Sequence, residues 1–272
     1  MNRRQQAVEW GVTLEFQVVR FVCTSHCAFT FSSPASNKLR GAIGNNLRER
    51  GDGSYERFFD PAQTTGPSGL SDPPRPFVLR CAHLDGVTVA KETTFQFDLH
   101  LFDLRTPWVD ILAESLRLTG FCRLDSVAVE RRELALRPTA KQGQVAIRFL
   151  TPTELKARGG LAAQPDFGIL AARARDRVAN LCQLYGEGPL PIDFGAFGER
   201  AAAVRMTRCE IQRVEAQRRS GSTGQTHSLG GFVGEAEYEG DLTEFMPYLR
   251  AVEWTGVGRQ TTWGKGAIAI LG

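Results

Sequence analysis

The sequence predicts an α+β fold built from two consecutive β-α-β-β-α-β units. Three observations predict it. Stretches that alternate apolar and polar residues, the period of a half-buried strand, occur in both halves. Amphipathic stretches with apolar residues three or four apart separate them, in the same order each time. Between the two sets lies an aperiodic run, Pro138 to Gly143.

In the first unit, Val12 to Val22 alternates around Val12, Leu14, Phe16 and Val18. Asn37 to Arg50 places Leu39, Ile43 and Leu47 on one helical face and leaves Lys38, Arg40 and Arg48 off it. The Gly/Pro/Asp-rich run from Gly51 to Pro76 reads as a long connection, pinned by Tyr55, Phe58 and Phe59. Strands follow at Phe77 to His83 and Thr93 to Leu104, the second with Phe95, Phe97, Leu99 and Leu101 on one face and His100 exposed on the other. Pro107 opens a helix, Trp108 to Leu118, that Gly120 ends, and Ser126 to Leu136 is the last strand.

The second unit repeats this order. Gln144 to Leu150 is a strand, and Phe167 to Tyr185 a helix with Leu170, Ala174, Val178 and Leu181 inward. Ala201 to Arg219 and Leu229 to Glu239 read as the middle strands. Asp241 with Glu244 resembles a capping box for a helix through Trp254, and Ala267 to Leu271 closes the unit. The expected architecture is two tandem ferredoxin-like, RRM-like domains, residues 1–140 and 141–272, with helices on one face of each antiparallel sheet and a basic cleft between them.

The apolar fraction of 42% and charged fraction of 23% belong to a globular chain. No run is long and apolar enough for a membrane span, and Met-Asn-Arg-Arg-Gln-Gln lacks a signal-peptide core, so a cytoplasmic location without membrane partners is expected. Of 33 basic residues five are lysines and 28 arginines, a bias that suits phosphate and base stacking, and equally a GC-rich genome. The six cysteines form no C-x-x-C pair and read as reduced thiols. Cys23, His26 and Cys27 lack zinc spacing, and neither a metal nor a cofactor is expected.

The most informative stretch is Gly256 to Gly272. Gly256, Gly258, Gly264 and Gly266 enclose Arg259, Trp263 and Lys265 ahead of a short apolar run. Glycines can aim several N–H groups at one point, which beside Arg and Lys makes an anion cradle, and Trp263 offers a stacking surface. A Walker A loop is excluded, because five residues separate Gly258 from Gly264 and Gly266 stands where a hydroxyl residue is required. The plain alternative is a hairpin turn before an edge strand.

Three segments carry a resemblance to the CRISPR-associated endoribonucleases of the RAMP superfamily that cut precursor RNA within its repeats. They are Gly256-Val-Gly-Arg-Gln-Thr-Thr-Trp-Gly-Lys-Gly266, the run from Leu229-Gly-Gly-Phe-Val-Gly234 through Phe245-Met-Pro-Tyr-Leu249, and Phe149-Leu-Thr-Pro-Thr-Glu-Leu-Lys156. Leu39-Arg-Gly-Ala-Ile-Gly44 is similar to the first-helix motif of RAMP proteins. The resemblance implies metal-independent RNA cleavage, retention of the product, CRISPR repeat RNA as partner, other effector subunits as further partners, and a monomer or homodimer.

Metal-free cleavage uses the ribose 2′-OH as nucleophile. It needs a general base, a general acid and cations around the phosphorane. Histidine titrates in the right range. His26, between the first strand and first helix, is the first candidate and His227 in the loop Ser220 to Ser228 the second. The family often carries its histidine after the first helix, where Arg48 to Arg57 contains none, which brings in Tyr55. Lys38 or Arg40 is the charge stabiliser. Arg40, Arg48, Gly256, Gly258, Arg259, Trp263, Gly264, Lys265, Gly266, Arg218 and Arg219 are the expected RNA-holding residues, with Arg173 and Arg177 sharing a helix face. Two other functions compete: a non-catalytic RNA-binding subunit with the same fold, favoured by that missing histidine, and an unrelated enzyme holding a small phosphorylated ligand.

Overall fold

The structure, a computed structural model, describes residues 12–62, 73–138, 140–157, 159–215, 217–219, 226–228 and 230–271; for 217–219 and 226–228 only the backbone is described. Two four-stranded antiparallel sheets organise it. The first contains β1 (Thr13–Ser25), β2 (Phe77–Arg80), β3 (Thr94–Leu101) and β4 (Cys122–Ala135), in spatial order β2-β3-β1-β4. The second contains β5 (Gln144–Thr153), β6 (Arg205–Val214), β7 (Gly231–Glu239) and β8 (Ile268–Leu271), in spatial order β6-β7-β5-β8. Both orders are that of a ferredoxin-like sheet, and the fold is tandem ferredoxin-like.

Helices α1 (Ser36–Arg50), α2 (Ser54–Phe59) and α3 (Trp108–Arg117) belong to the first unit; α4 (Phe167–Tyr185), α5 (Phe194–Ala202) and α6 (Met246–Thr255) belong to the second. α1 forms where the sequence places it, because Leu39, Ile43 and Leu47 recur on one face and all are buried. Gly51 ends it with φ of 65°, its N–H donating to Arg48 O.

α2 is a helix where a connection was expected, and α5 fills a stretch given no element, ending two residues into the strand expected from Ala201. α5 is opened by Asp193, whose Oδ1 accepts from Ala196 N at 3.0 Å, and two glycines weaken its periodicity. Asp241 makes no capping box. Its Oδ1 accepts from Thr243 N, Glu244 pairs with Arg200, and the helix begins only at Met246.

Side-chain alternation along β1 and β3 separates two cores. Val19, Phe21, Cys23, Phe97, Leu99 and Leu101 face α1 and α3. Leu14 and Phe16 face the other way and join the apolar cluster of α4 and α6. His100 lies on this second face and is only 6% exposed, so its expected exposure is corrected. The sheet has no free face there, since Trp254 of α6 packs against Phe16 and His100 with ring centres 5.4 Å from each.

Candidate nucleic-acid interface

Three side chains of the first sheet and α4 converge on the C-terminal end of α6. His100 Nδ1 lies 2.8 Å from Trp254 O, Arg80 Nη2 donates to Glu253 O and Trp254 O at 2.7 and 3.0 Å, and Arg177 Nε donates to Thr255 O at 3.2 Å. These are the carbonyls that a helix end leaves unpaired, and cations there also oppose the helix dipole. Burial pulls Arg80 and Arg177 down to about 10 and His100 down to about 4, the last assisted by the positive charge of Arg80.

The capped helix end delivers the chain into the glycine-rich loop, which continues through a 3-10 turn, Thr261–Trp263, to β8. Gly258 and Gly266 have φ of 83° and 69°, and a Cβ there would stand 2.2 Å from Glu154 O and 1.9 Å from Val257 O. Only glycine fits. The amides of Gly256, Val257, Arg259, Trp263, Gly264 and Gly266 donate to carbonyls within the fold, to Val252, Gly266, Glu154, Gln260, Thr261 and Pro152 respectively. These amides are therefore not a bare anion cradle, and that expectation is corrected: close packing consumes them.

Lys265 lies inside the same packing, 3% exposed, with Nζ donating to Gly230 O and Gln260 Oε1 and 3.4 Å from Glu154 Oε2. Desolvation lowers its pKa and Glu154 works against that shift. Arg259 keeps its side chain 53% exposed, 3.6 Å from the same carboxylate. The loop is latched onto α1: Ser36 Oγ donates to Trp263 O at 3.0 Å, Arg40 Nη1 donates to Thr262 Oγ1 at 2.7 Å, and the Arg40 guanidinium lies 3.7 Å from the Trp263 ring centre.

Between α1, the loop and α4 is a cleft of about 680 Å³. Arg40, Arg75, Lys156, Arg173, Arg177 and Arg259 line it, against one carboxylate, Asp176, among the described lining residues. The walls of this cleft are α1 of the first unit and the loop and α4 of the second, rather than the sheets. The exposed side of the second sheet carries balanced pairs, Arg148 with Glu235, Arg208 with Glu210 and Glu237, Arg205 with Glu239, which leave no surplus positive charge.

The candidate catalytic residues fall into separate places. His26 is exposed in the loop after β1, its main-chain N–H donating to Phe121 O at 2.9 Å. Lys38 Nζ sits 4.7 Å from the Phe121 ring centre and 4.6 Å from that of Phe29, so both belong to one corner. Tyr55 accepts from Arg48 Nη2 at 2.5 Å, under a guanidinium 3.9 Å from its ring. That pair sits at the far end of α1, about 15 Å along the axis from Lys38. Arg218 and His227 face each other across a small hairpin, Gln217–Arg219 with Thr226–Ser228; the side chains of Arg218, Arg219 and His227 lie outside the described residues. Sequence reading did not assign Arg75, Lys156 or Glu154. Glu154 and Lys156 sit inside the Pro-Thr segment it had singled out.

Residues 147–268 match the family model of the CRISPR-associated endoribonuclease Cas6. That segment carries the likeness of this chain to Cas6. The structure is similar to a Thermus thermophilus Cas6 in its product complex, with a TM-score of 0.62 and 19% identity over 94% of this chain and 100% of that one. A second Cas6, in a substrate mimic complex, gives 0.53 and 17% over 95% of this chain and 100% of that one. A RAMP protein described as binding different RNA substrates gives 0.53 and 9% over 94% of this chain and 100% of that one. No curated protein matches the chain by sequence. Among the described residues, no helix is long and apolar enough to cross a membrane.

Proposed function

We propose that this chain is a metal-independent endoribonuclease that binds CRISPR precursor RNA and cuts it within its repeats. The observation that carries the reading is the glycine-rich loop, part of the segment that matches the family model, latched through Trp263 and Thr262 to Arg40 beside a cation-lined cleft. Single-stranded RNA needs what these parts supply: guanidinium forks for phosphates and an aromatic ring for a base.

In the proposed reaction the ribose 2′-oxygen forms a bond to the adjacent phosphorus while the bond from phosphorus to the 5′-oxygen breaks. The 2′-hydroxyl loses its proton to a base and the leaving 5′-oxygen gains one from an acid. The products are a 2′,3′-cyclic phosphate and a 5′-hydroxyl, and the repeat RNA stays bound. His26 takes part in the proton transfers and Lys38 stabilises the charge on the phosphorane. The division into residues 1–140 and 141–272 belongs to the same proposal, each part supplying one wall of the RNA site.

One observation favours a second reading, a non-catalytic RNA-binding subunit of an effector complex: among its described lining residues the cleft has no histidine. Repeat RNA incubated with the protein in EDTA, beside a strand carrying 2′-deoxyribose at the scissile position, separates the two. Cutting in EDTA that stops with the deoxy strand is expected. Tight binding with no cutting would transfer the assignment to the binding subunit.

A further inference from the structure

We propose that α4 carries a phosphate subsite, made by Arg173 and Arg177 with Arg259 across the cleft, which grips an RNA backbone phosphate away from the bond that is cut. The inference rests on the RNA reading above and deepens it by naming which arginines of the cleft hold one backbone phosphate together.

Arg173 and Arg177 are four residues apart on α4, hence on one face, and both line the cleft. Among the described residues Arg173 Nη2 pairs with Asp176 Oδ2 at 2.9 Å and Arg177 Nε donates to Thr255 O at 3.2 Å. Each also keeps a donor that is shielded from solvent and has no acceptor among the described residues, Nε of Arg173 and Nη2 of Arg177. Buried donors are nearly always paired, so two on adjoining side chains of one cleft point to a missing acceptor.

The charges agree. Asp176 is shared with Arg175, whose Nη2 lies 2.7 Å from Oδ1, so it cannot neutralise the remaining cations. Guanidinium forks pre-set in position select a tetrahedral oxyanion.

The subsite is also separate from the His26 and Lys38 corner. Arg40 lines the cleft, and Lys38, two residues earlier on α1, is rotated by roughly 200° around the helix, toward Phe29 and Phe121. A strand held on α4 therefore has to pass around α1 to reach that corner.

The test uses the full chain with two probes. Binding of inorganic phosphate is followed by phosphorus NMR, and binding of single-stranded repeat RNA as a function of salt. Arg173→Gln is expected to weaken phosphate binding about tenfold and to flatten the plot of log K against log salt by roughly 0.7, the loss of one phosphate contact. Arg177→Gln should do the same, read beside its melting temperature because it also caps α6. Arg208→Gln, in the balanced ladder of the second sheet, should change neither slope nor phosphate affinity. If Arg173→Gln binds phosphate as wild type does, or Arg208→Gln weakens it equally, the subsite is overturned. If wild type binds no repeat RNA while Arg173→Gln still loses phosphate, the subsite stands for a free anion and the RNA reading falls.

Discussion

Arg40 Nη1 donates to Thr262 Oγ1 at 2.7 Å while the same guanidinium lies 3.7 Å from the centre of the Trp263 ring. Ring contact and hydrogen bond act together to hold α1 of the first unit against the glycine-rich loop of the second. A lysine would keep the charge and lose both the planar stack and the directed donor. Arg40→Lys should therefore cost roughly 1 to 2 kcal/mol in urea unfolding and weaken RNA binding through a looser loop. Equal midpoints for variant and wild type would mean that the latch holds nothing.

The glycines of this chain are not equivalent, and the structure assigns opposite signs to two of them. Gly266→Ala places a methyl 1.9 Å from Val257 O at a φ of 69°, so backbone must move. A loss of about 3 kcal/mol or more is expected, from strain added to the broken Val257 pairing. Gly41→Ala, inside α1 with nothing within 4 Å of the new methyl, should instead gain roughly 0.5 to 1 kcal/mol from helix propensity. Thermal unfolding of the pair checks both signs at once.

What the sequence made legible follows from periodicity. α1, α4 and the alternating β3 were readable because Leu39, Ile43 and Leu47, or Phe95, Phe97 and Leu99, repeat on one face. α5 escaped because Gly195 and Gly198 interrupt its pattern, although Asp193 was there as a cap signal. The site was legible in composition only. Gly258 and Gly266 announce an unusual backbone, yet nothing local shows that Glu154, over a hundred residues earlier, fills the space beneath Gly258 and pairs with Lys265. His100 was misplaced for a similar reason: alternation gives the face of a strand but not what a distant helix lays over it.

His100 makes the fold sensitive to mild acid. It is held neutral at about pH 4 and above, chiefly by burial and next by the charge of Arg80; Asp98 and the Trp254 carbonyl pull the other way, and Arg132 adds to the repulsion. In the unfolded chain it titrates near 6.5, so between those values the unfolded state binds more protons. The stabilisation is complete above about pH 6.5 and is lost as pH falls toward 4, by roughly 3 kcal/mol in all. His100→Gln lacks a titrating group, so it should flatten this part of the stability profile while retaining a donor to Trp254 O. A profile of unchanged slope in that variant would assign the acid sensitivity to other groups.

His26 offers a clean test of chemistry because its side chain is exposed and its structural contact is the main-chain N–H to Phe121 O, which substitution leaves in place. His26→Ala should therefore melt where wild type does and bind repeat RNA nearly as tightly, while the single-turnover cleavage rate falls by roughly two to four decades. Tyr55→Phe separates the rival assignment. Tyr55 is engaged by Arg48 at the opposite end of α1, so this variant should lose the hydrogen bond from Arg48, keep the ring under the guanidinium and leave the rate within a few-fold. A rate unchanged in His26→Ala and lost in Tyr55→Phe would move the cleavage site along α1, away from Lys38 and the Phe121 corner.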